Sequence, residues 1–220
     1  MAAFEREIDM RLVGLQALVD ELGDDSSNIY EEFRLEDISI DALVTRVDED
    51  ALQDRRAMGL DTPLIGDERG IYNWFARNFE RDPDGLYQSI NTPDRDRELV
   101  ETLAERGYLT DNGDGSLSAV EFPRHIELVA VEFAASGWRK PSAHLHSARS
   151  VTDEQWLVIG AGDEAEARES REMFESSGFG LAALSPDGTL TRIVEAVTDG
   201  ADNEARTRAL AEDIYAEEVF

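Results

Sequence analysis

Over residues 4–22, FEREIDMRLVGLQALVDEL, apolar residues recur every three or four positions, and Phe4, Ile8, Leu12, Leu15, Val19 and Leu22 predict one face of an amphipathic helix. GDDSSN ends it, and the period changes in IYEEFRLEDISIDALVTRV, which predicts strands at Tyr30–Leu35 and Ile38–Val47. Residues 48–69 are polar and hold a Gly-Leu-Asp-Thr-Pro turn, so they read as a linker. Residues 70–81, GIYNWFARNFER, predict an aromatic amphipathic helix that DPDG breaks. A further helix follows, with Thr92 as N-cap and Pro93 in its first turn, and then an Asn-Gly-Asp-Gly turn between two short strands. Residues 126–134 form the most apolar strand, interrupted by Glu127 and Glu132. A helix runs from Trp138 to Ser150, with Pro141 tolerated in its first turn. Then come a buried strand at Gln155–Ala161, a charged helix at Asp163–Ser176 capped by Gly178, and two strands over 179–195 about a Pro-Asp-Gly turn. The last element is an acidic helix at 202–216, docked by Leu210, Ile214 and Tyr215 with the rest of its surface solvated. This order of elements is that of a mixed α/β chain.

Composition narrows the chemistry. The 220 residues, 41% of them hydrophobic, suffice for a real core. With no cysteine there is no disulfide, thiolate metal site or cysteine nucleophile, and metal chemistry falls to carboxylates and three histidines. The N-terminal segment is acidic where a signal peptide is basic, and no apolar run reaches the roughly 18 residues of a membrane span, so the expected location is the cytoplasm, with no membrane. Asp and Glu number 49 against 21 Lys and Arg, a net charge of −28. That charge suits an acidic protein that binds basic partners or mimics DNA, or a surface adapted to a high-salt cytoplasm. The acid is spread over the whole chain and Lys140 is the sole lysine, which favours salt adaptation, a halophilic composition. In molar salt, where screening shortens to about 3 Å, a local arginine patch can still meet nucleic acid.

Candidate chemistry centres on Asp41 in SIDALV and Glu132 in VAVEF, carboxylates on separate core strands where burial is costly without a partner. Brought to one end of a sheet they would hold a divalent ion able to polarise a phosphoryl group and activate water. The alternative is that each caps a strand or pairs with an arginine. His144 and His146 fall on a helix, where two-residue spacing points them apart, and His125 reads as a strand-edge residue. Arg95, Arg97 and Arg106 on the helix after Pro93, with Arg77 and Arg81 on the aromatic helix, form a phosphate-contacting set. Alternatively, Arg95 and Arg97 pair with Asp94, Asp96, Glu98 and Glu101. Trp74, Phe75 and Phe79 read as local core rather than a stacking platform.

Two resemblances follow from these motifs. The helix, its ERGYL ending and the Gly-rich hairpin resemble the end of a winged-helix unit. The leading helix, IDALV, LVAVEF with a following Trp-Arg-Lys helix start, WLVI, and a helix leading into GFGLAALSPDGTL together resemble the restriction-endonuclease-like PD-(D/E)XK superfamily, over residues 4–47 and 126–195. The resemblance implies a mixed sheet flanked by helices, with residues 1–50 and 126–220 as a nuclease-like core. Residues 51–125 are then a linker plus an inserted winged-helix-like α+β unit. It implies Asp41 and Glu132 as ligands of Mg²⁺ or Mn²⁺, with Glu7 or Glu5 as an extra carboxylate, and DNA as partner. Arg139 and His144 then join the nucleic-acid-binding set, His144 where the family often has a glutamine-type residue. The departure from the family is Ala134, where it has a lysine that stabilises developing negative charge. Either Lys140 on the next helix reaches back as the catalytic amine, or catalysis is lost and a DNA-binding scaffold remains. A reading of another class is a non-enzymatic interaction or transcription-regulatory module without metal, its winged-helix unit mediating dimerisation or protein contact.

Overall fold

The computed structural model describes residues 4, 6–22, 27–35, 38–77, 83, 93–198 and 204–219. The expectations that rest on Glu5, Phe79, Arg81, DPDG and Thr92 lie outside the described residues. The chain divides into two compact units, Met1–Val47 with Ile126–Thr207, and Asp48–His125 with Arg208–Phe220.

The first unit is an α/β layer structure around a six-stranded mixed sheet. Its elements are α1 (Glu7–Leu22), β1 (Asn28–Glu31), β2 (Arg34–Leu35), β3 (Ile38–Ser39) and β4 (Ala42–Val47). The second unit supplies α2 (Glu49–Ala57), α3 (Gly66–Arg77), α4 (Pro93–Glu105), β5 (Leu109–Asp111) and β6 (Leu117–Ala119). The chain then returns to the first unit with β7 (Ile126–Ala134), α5 (Arg139–Ala148), β8 (Glu154–Gly160), α6 (Glu164–Glu169), α7 (Arg171–Ser177), β9 (Gly180–Leu184) and β10 (Leu190–Val194), before α8 (Glu204–Val219). The sheet order is β1-β4-β7-β8-β9-β10. β7, β8 and β9 run parallel, and the pairs β1–β4, β4–β7 and β9–β10 are antiparallel.

Alternation along the central strands divides the core. Ala42, Val44, Val129, Val131, Phe133, Trp156, Val158, Ala182 and Leu184 cluster with Met10, Ala17 and Leu18 of α1. The intervening residues, among them Leu128, Ala130, Leu157, Ile159, Leu181 and Ala183, are buried on the other face, where α5 packs on β7 and β8. Gly180 makes this packing possible, because a Cβ there would run into the indole of Trp156. Gly178, at φ 75°, ends α7 in the left-handed conformation, as its sequence position predicts.

Three expectations change. The inward face of α1 is set by Met10, Gly14, Ala17 and Leu18, while Ile8 and Leu12 are 48% and 65% exposed. The small side of Gly14 lets the helix approach Phe133 closely, which turns Ile8 and Leu12 outward. The polar stretch after Val47 is not all linker, since Asp48 caps α2 by accepting a hydrogen bond from the Ala51 N–H at 3.0 Å. The charged segment 163–176 is two short helices broken at Ser170.

The second unit packs Leu60, Leu64, Ile71, Tyr72, Phe75, Val100, Leu103, Tyr108, Leu109 and Phe122 into its own core. Trp74 and Phe75 join it, as their amphipathic spacing predicts. β5 and β6 form an antiparallel hairpin closed by the Asn-Gly-Asp-Gly turn. Residues from Arg208 onward group with this unit rather than with the sheet. Among the described residues no helix is long and apolar enough to cross a membrane.

Candidate functional site

The strand that the sequence predicts over Ile38–Val47 is interrupted, and the interruption makes the site. Glu32 adopts φ 50°, a left-handed conformation uncommon outside glycine. Its N–H donates to the Asp41 carbonyl at 2.8 Å, and the β1–β4 ladder ends there, at the Glu31–Ala42 pair. Asp41 therefore stands just before β4, not within it. On the neighbouring strand Val131 pairs with Ala42, which sets Asp41 beside Glu132 at the entry of the antiparallel pair.

Asp41, Glu132 and His144 line one cleft of about 200 Å³, together with Ser39, Ile40, Phe133 and Pro141. Glu132 is buried, and its Oε2 lies 3.2 Å from Nδ1 of the half-exposed His144. His146, two residues on, instead packs its ring on Phe179 at 4.6 Å, so the two histidines diverge as helical spacing requires. Asp41 Oδ2 accepts the Phe133 N–H at 2.8 Å. Its Oδ1 is ion-paired with Arg11 Nη2, and Arg11 Nη1 lies 3.4 Å from Glu32 Oε1.

Arg11 is the residue that pattern reading misses. It borders the buried stripe of α1 between Met10 and Gly14, a position that shows its importance only when α1 is oriented by packing. Ala134, where the resemblance expects a lysine, is wholly buried. Lys140 and Arg139 open α5, and Glu7 opens α1; the side chains of these three lie outside the described residues.

These donors do not form a ready site for a hard divalent cation, which takes six or more oxygens. Both oxygens of Asp41 are already bonded within the chain, one of them to a cation. Among the described residues no group of three or more His, Asp or Glu is arranged to hold a metal ion.

The arginines of the second unit are largely turned to internal use. Arg106 makes two 2.7 Å contacts with Glu68 and donates to the Thr62 and Pro63 carbonyls at 3.1 Å. Arg95 pairs with Asp67 of α3, both side chains being more than half exposed. Arg77 and Arg97 are exposed on α3 and α4.

A second polar cluster lies wholly inside this unit. Arg55 is fully buried, donates from Nε to the Leu60 carbonyl at 2.6 Å, and forms a bidentate pair with Glu212, one arm at 2.9 Å. Glu212 also accepts the Leu64 N–H at 2.7 Å. The guanidinium carbon lies 4.6 Å from the ring centre of Phe122 and 5.1 Å from that of Tyr215. His125 is not an edge residue but is buried in this cluster, with Nδ1 3.3 Å from Arg55 Nη1. Arginine has only donors, so Nδ1 accepts and the neutral ring carries its proton on Nε2, which has no partner. Burial, and then the Arg55 charge, lower the His125 pKa to about 4. Glu212 on the otherwise acidic last helix is thus an anchor, not part of a solvated face. The cluster is closed and internally satisfied except at that Nε2, and it has the character of a structural tie.

No protein-family model matches the chain, and neither the curated proteins nor the solved structures hold a significant match to it.

Proposed function

We propose that the first unit is a degenerate PD-(D/E)XK-like scaffold that contacts DNA without cleaving it, with the helix–hairpin unit acting as a winged-helix-like module. The observation that carries this reading is the meeting of Asp41, Glu132 and His144 in one cleft while Asp41 is neutralised by Arg11. Two acidic residues side by side in one cleft are what a nuclease of this type needs. An arginine on one of them and a buried alanine at position 134 are what its loss of catalysis leaves. DNA contact then falls to cations at the helix starts and exposed faces, with Arg77, Arg97, Arg139 and Lys140 as phosphate partners. The even acidity and near-absence of lysine support a working environment of high salt.

A second reading keeps catalysis. Lys140 stands in the first turn of α5, next to Pro141, which lines the cleft. In that case Mg²⁺ or Mn²⁺ at Asp41 and Glu132 would supply Lewis-acid activation of a phosphodiester, and Lys140 would stabilise developing charge.

The deciding experiment assays plasmid and oligonucleotide binding and cleavage in molar KCl with Mg²⁺ or Mn²⁺, for wild type, Glu132→Gln, Lys140→Ala and Arg139→Ala/Lys140→Ala. The scaffold reading expects no cleavage by any of them, binding by wild type, and weaker binding with a shallower salt dependence for the double variant. Metal-dependent cleavage abolished by both Glu132→Gln and Lys140→Ala would establish the relocated-lysine enzyme instead. A folded protein that binds no nucleic acid would leave the interaction module.

A further inference from the structure

We propose that Ser39, His144 and Glu132 give the cleft a second chemistry, hydrolysis of short-chain carboxylic esters with Ser39 as nucleophile. It goes beyond the DNA reading and does not depend on it. Ser39 is the exposed residue between buried Ile38 and Ile40, so strand alternation turns its hydroxyl away from the core. α5 packs on β3, and Ser39 and His144 line the same cleft. The Ser39 hydroxyl has no hydrogen-bond partner among the described residues. His144 is held from behind: its Nδ1 lies 3.2 Å from Oε2 of Glu132, whose side chain is 4% exposed against 51% for the imidazole. A carboxylate only accepts, so the proton sits on Nδ1 and Nε2 presents a lone pair. Only Oε2 is used in this way, and Glu132 keeps its further interaction within the chain. A hydroxyl, a base and a third group that orients the base are the parts that activate a serine.

Size and lining set the substrate class. The cleft of about 200 Å³ is walled on its apolar side by Ile40, Phe133 and Pro141. It is smaller than the roughly 300–1,000 Å³ that encloses a drug-sized ligand, so it takes a short acyl group. Ser39 Oγ bonds to the ester carbonyl carbon while its proton passes to His144 Nε2. The carbon–oxygen bond to the alcohol then breaks, and Nε2 returns the proton to the leaving oxygen. Water repeats the sequence on the acyl-serine: its proton goes to Nε2, its oxygen bonds to the acyl carbon, and Ser39 leaves with the proton. Ester and water give acid and alcohol. Pro141 sets the first turn of α5 at the cleft, where a helix N-terminus favours the negative charge that develops on the carbonyl oxygen. Ser39 and His144 are the catalytic residues, and Glu132 is a positioning residue.

The test measures hydrolysis of 4-nitrophenyl acetate and butyrate in molar KCl, and intact mass after treatment with an ethyl fluorophosphonate probe. The proteins are wild type, Ser39→Ala, His144→Ala, Glu132→Ala and, as the control, His146→Ala, whose imidazole packs on Phe179 instead. Far-ultraviolet circular dichroism checks folding. The expected result is a kcat/KM about a hundredfold or more lower in Ser39→Ala and His144→Ala, with His146→Ala unchanged. One probe adduct forms on wild type, maps to Ser39 and is absent from Ser39→Ala. The positioning role of Glu132 is read from the imidazole nitrogen resonances of His144, which show the proton on Nδ1 in wild type and lose that preference in Glu132→Ala. Hydrolysis by wild type no faster than by His144→Ala, or undiminished in folded Ser39→Ala, would overturn the proposal. So would a His144 proton on Nε2 in wild type. Should a variant not fold, peptide mapping of the wild-type adduct decides: label on Ser39 supports the proposal, and label elsewhere or none overturns it.

Discussion

Arg11–Asp41 in the first unit and Arg55–Glu212 in the second are both guanidinium–carboxylate pairs, yet their surroundings give them different work. Arg55 is enclosed by two aromatic rings, a histidine, a tyrosine hydroxyl and a carbonyl, and Glu212 accepts a backbone N–H as well. Both are shut off from water, so neither can exchange its partner without exposing a bare charge to an apolar interior. Arg11 and Asp41 meet at the wall of a cleft, and only Asp41 has a second firm contact. Identical chemistry thus gives a tie in one unit and an accessible, replaceable charge in the other. Burial and completeness of bonding decide between the two, not the residue types.

The largest test of this contrast removes one partner of the closed pair. Glu212→Ala leaves Arg55 unpaired in the core and should destabilise the protein by about 3–5 kcal/mol in denaturant unfolding, while a joint Arg55→Met/Glu212→Leu replacement recovers most of that loss. Recovery that fails to appear would mean that the other contacts of Arg55, not the ion pair, hold the cluster.

The same cluster predicts an acid-sensitive stability. His125 is neutral when folded, with a pKa lowered to about 4 from the ordinary 6.5, so the unfolded chain binds the extra proton between those values. The contribution of His125 is fully present above about pH 6.5 and declines as pH falls toward 4. His125→Phe should flatten that part of the stability–pH curve, and an unchanged slope in chemical unfolding at a series of pH values would contradict it.

The smallest effect is expected at the open pair. Arg11→Gln should cost about 1 kcal/mol or less, because the pair is partly solvated and Asp41 retains the Phe133 N–H. A loss as large as that of Glu212→Ala would show that the cleft pair is structural too.

Much of the fold was legible in one dimension. The apolar runs at 126–134 and around Trp156, the Pro-Asp-Gly and Asn-Gly-Asp-Gly turns, the proline at the start of α4 and the glycine after α7 each act through local chemistry, and each element formed where its local signal stands. The meeting of Asp41 and Glu132 in one cleft was foreshadowed by their places in apolar segments, because a carboxylate there needs a reason to be present.

The sequence by itself determined the order of elements, the most apolar strands of the central sheet, the absence of thiol chemistry and the two acidic residues that meet in the cleft. Only the tertiary structure decided which face of α1 turns inward, that Arg11 reaches Asp41, that α2 hides Arg55 in a nominal linker, and that Glu212 of an acidic helix is buried. The physical reason is common to all four. Periodicity reports how apolar a face is, whereas the close approach allowed by Gly14 and the pairing of charges more than twenty residues apart depend on which surfaces meet, and that is a property of the packed molecule.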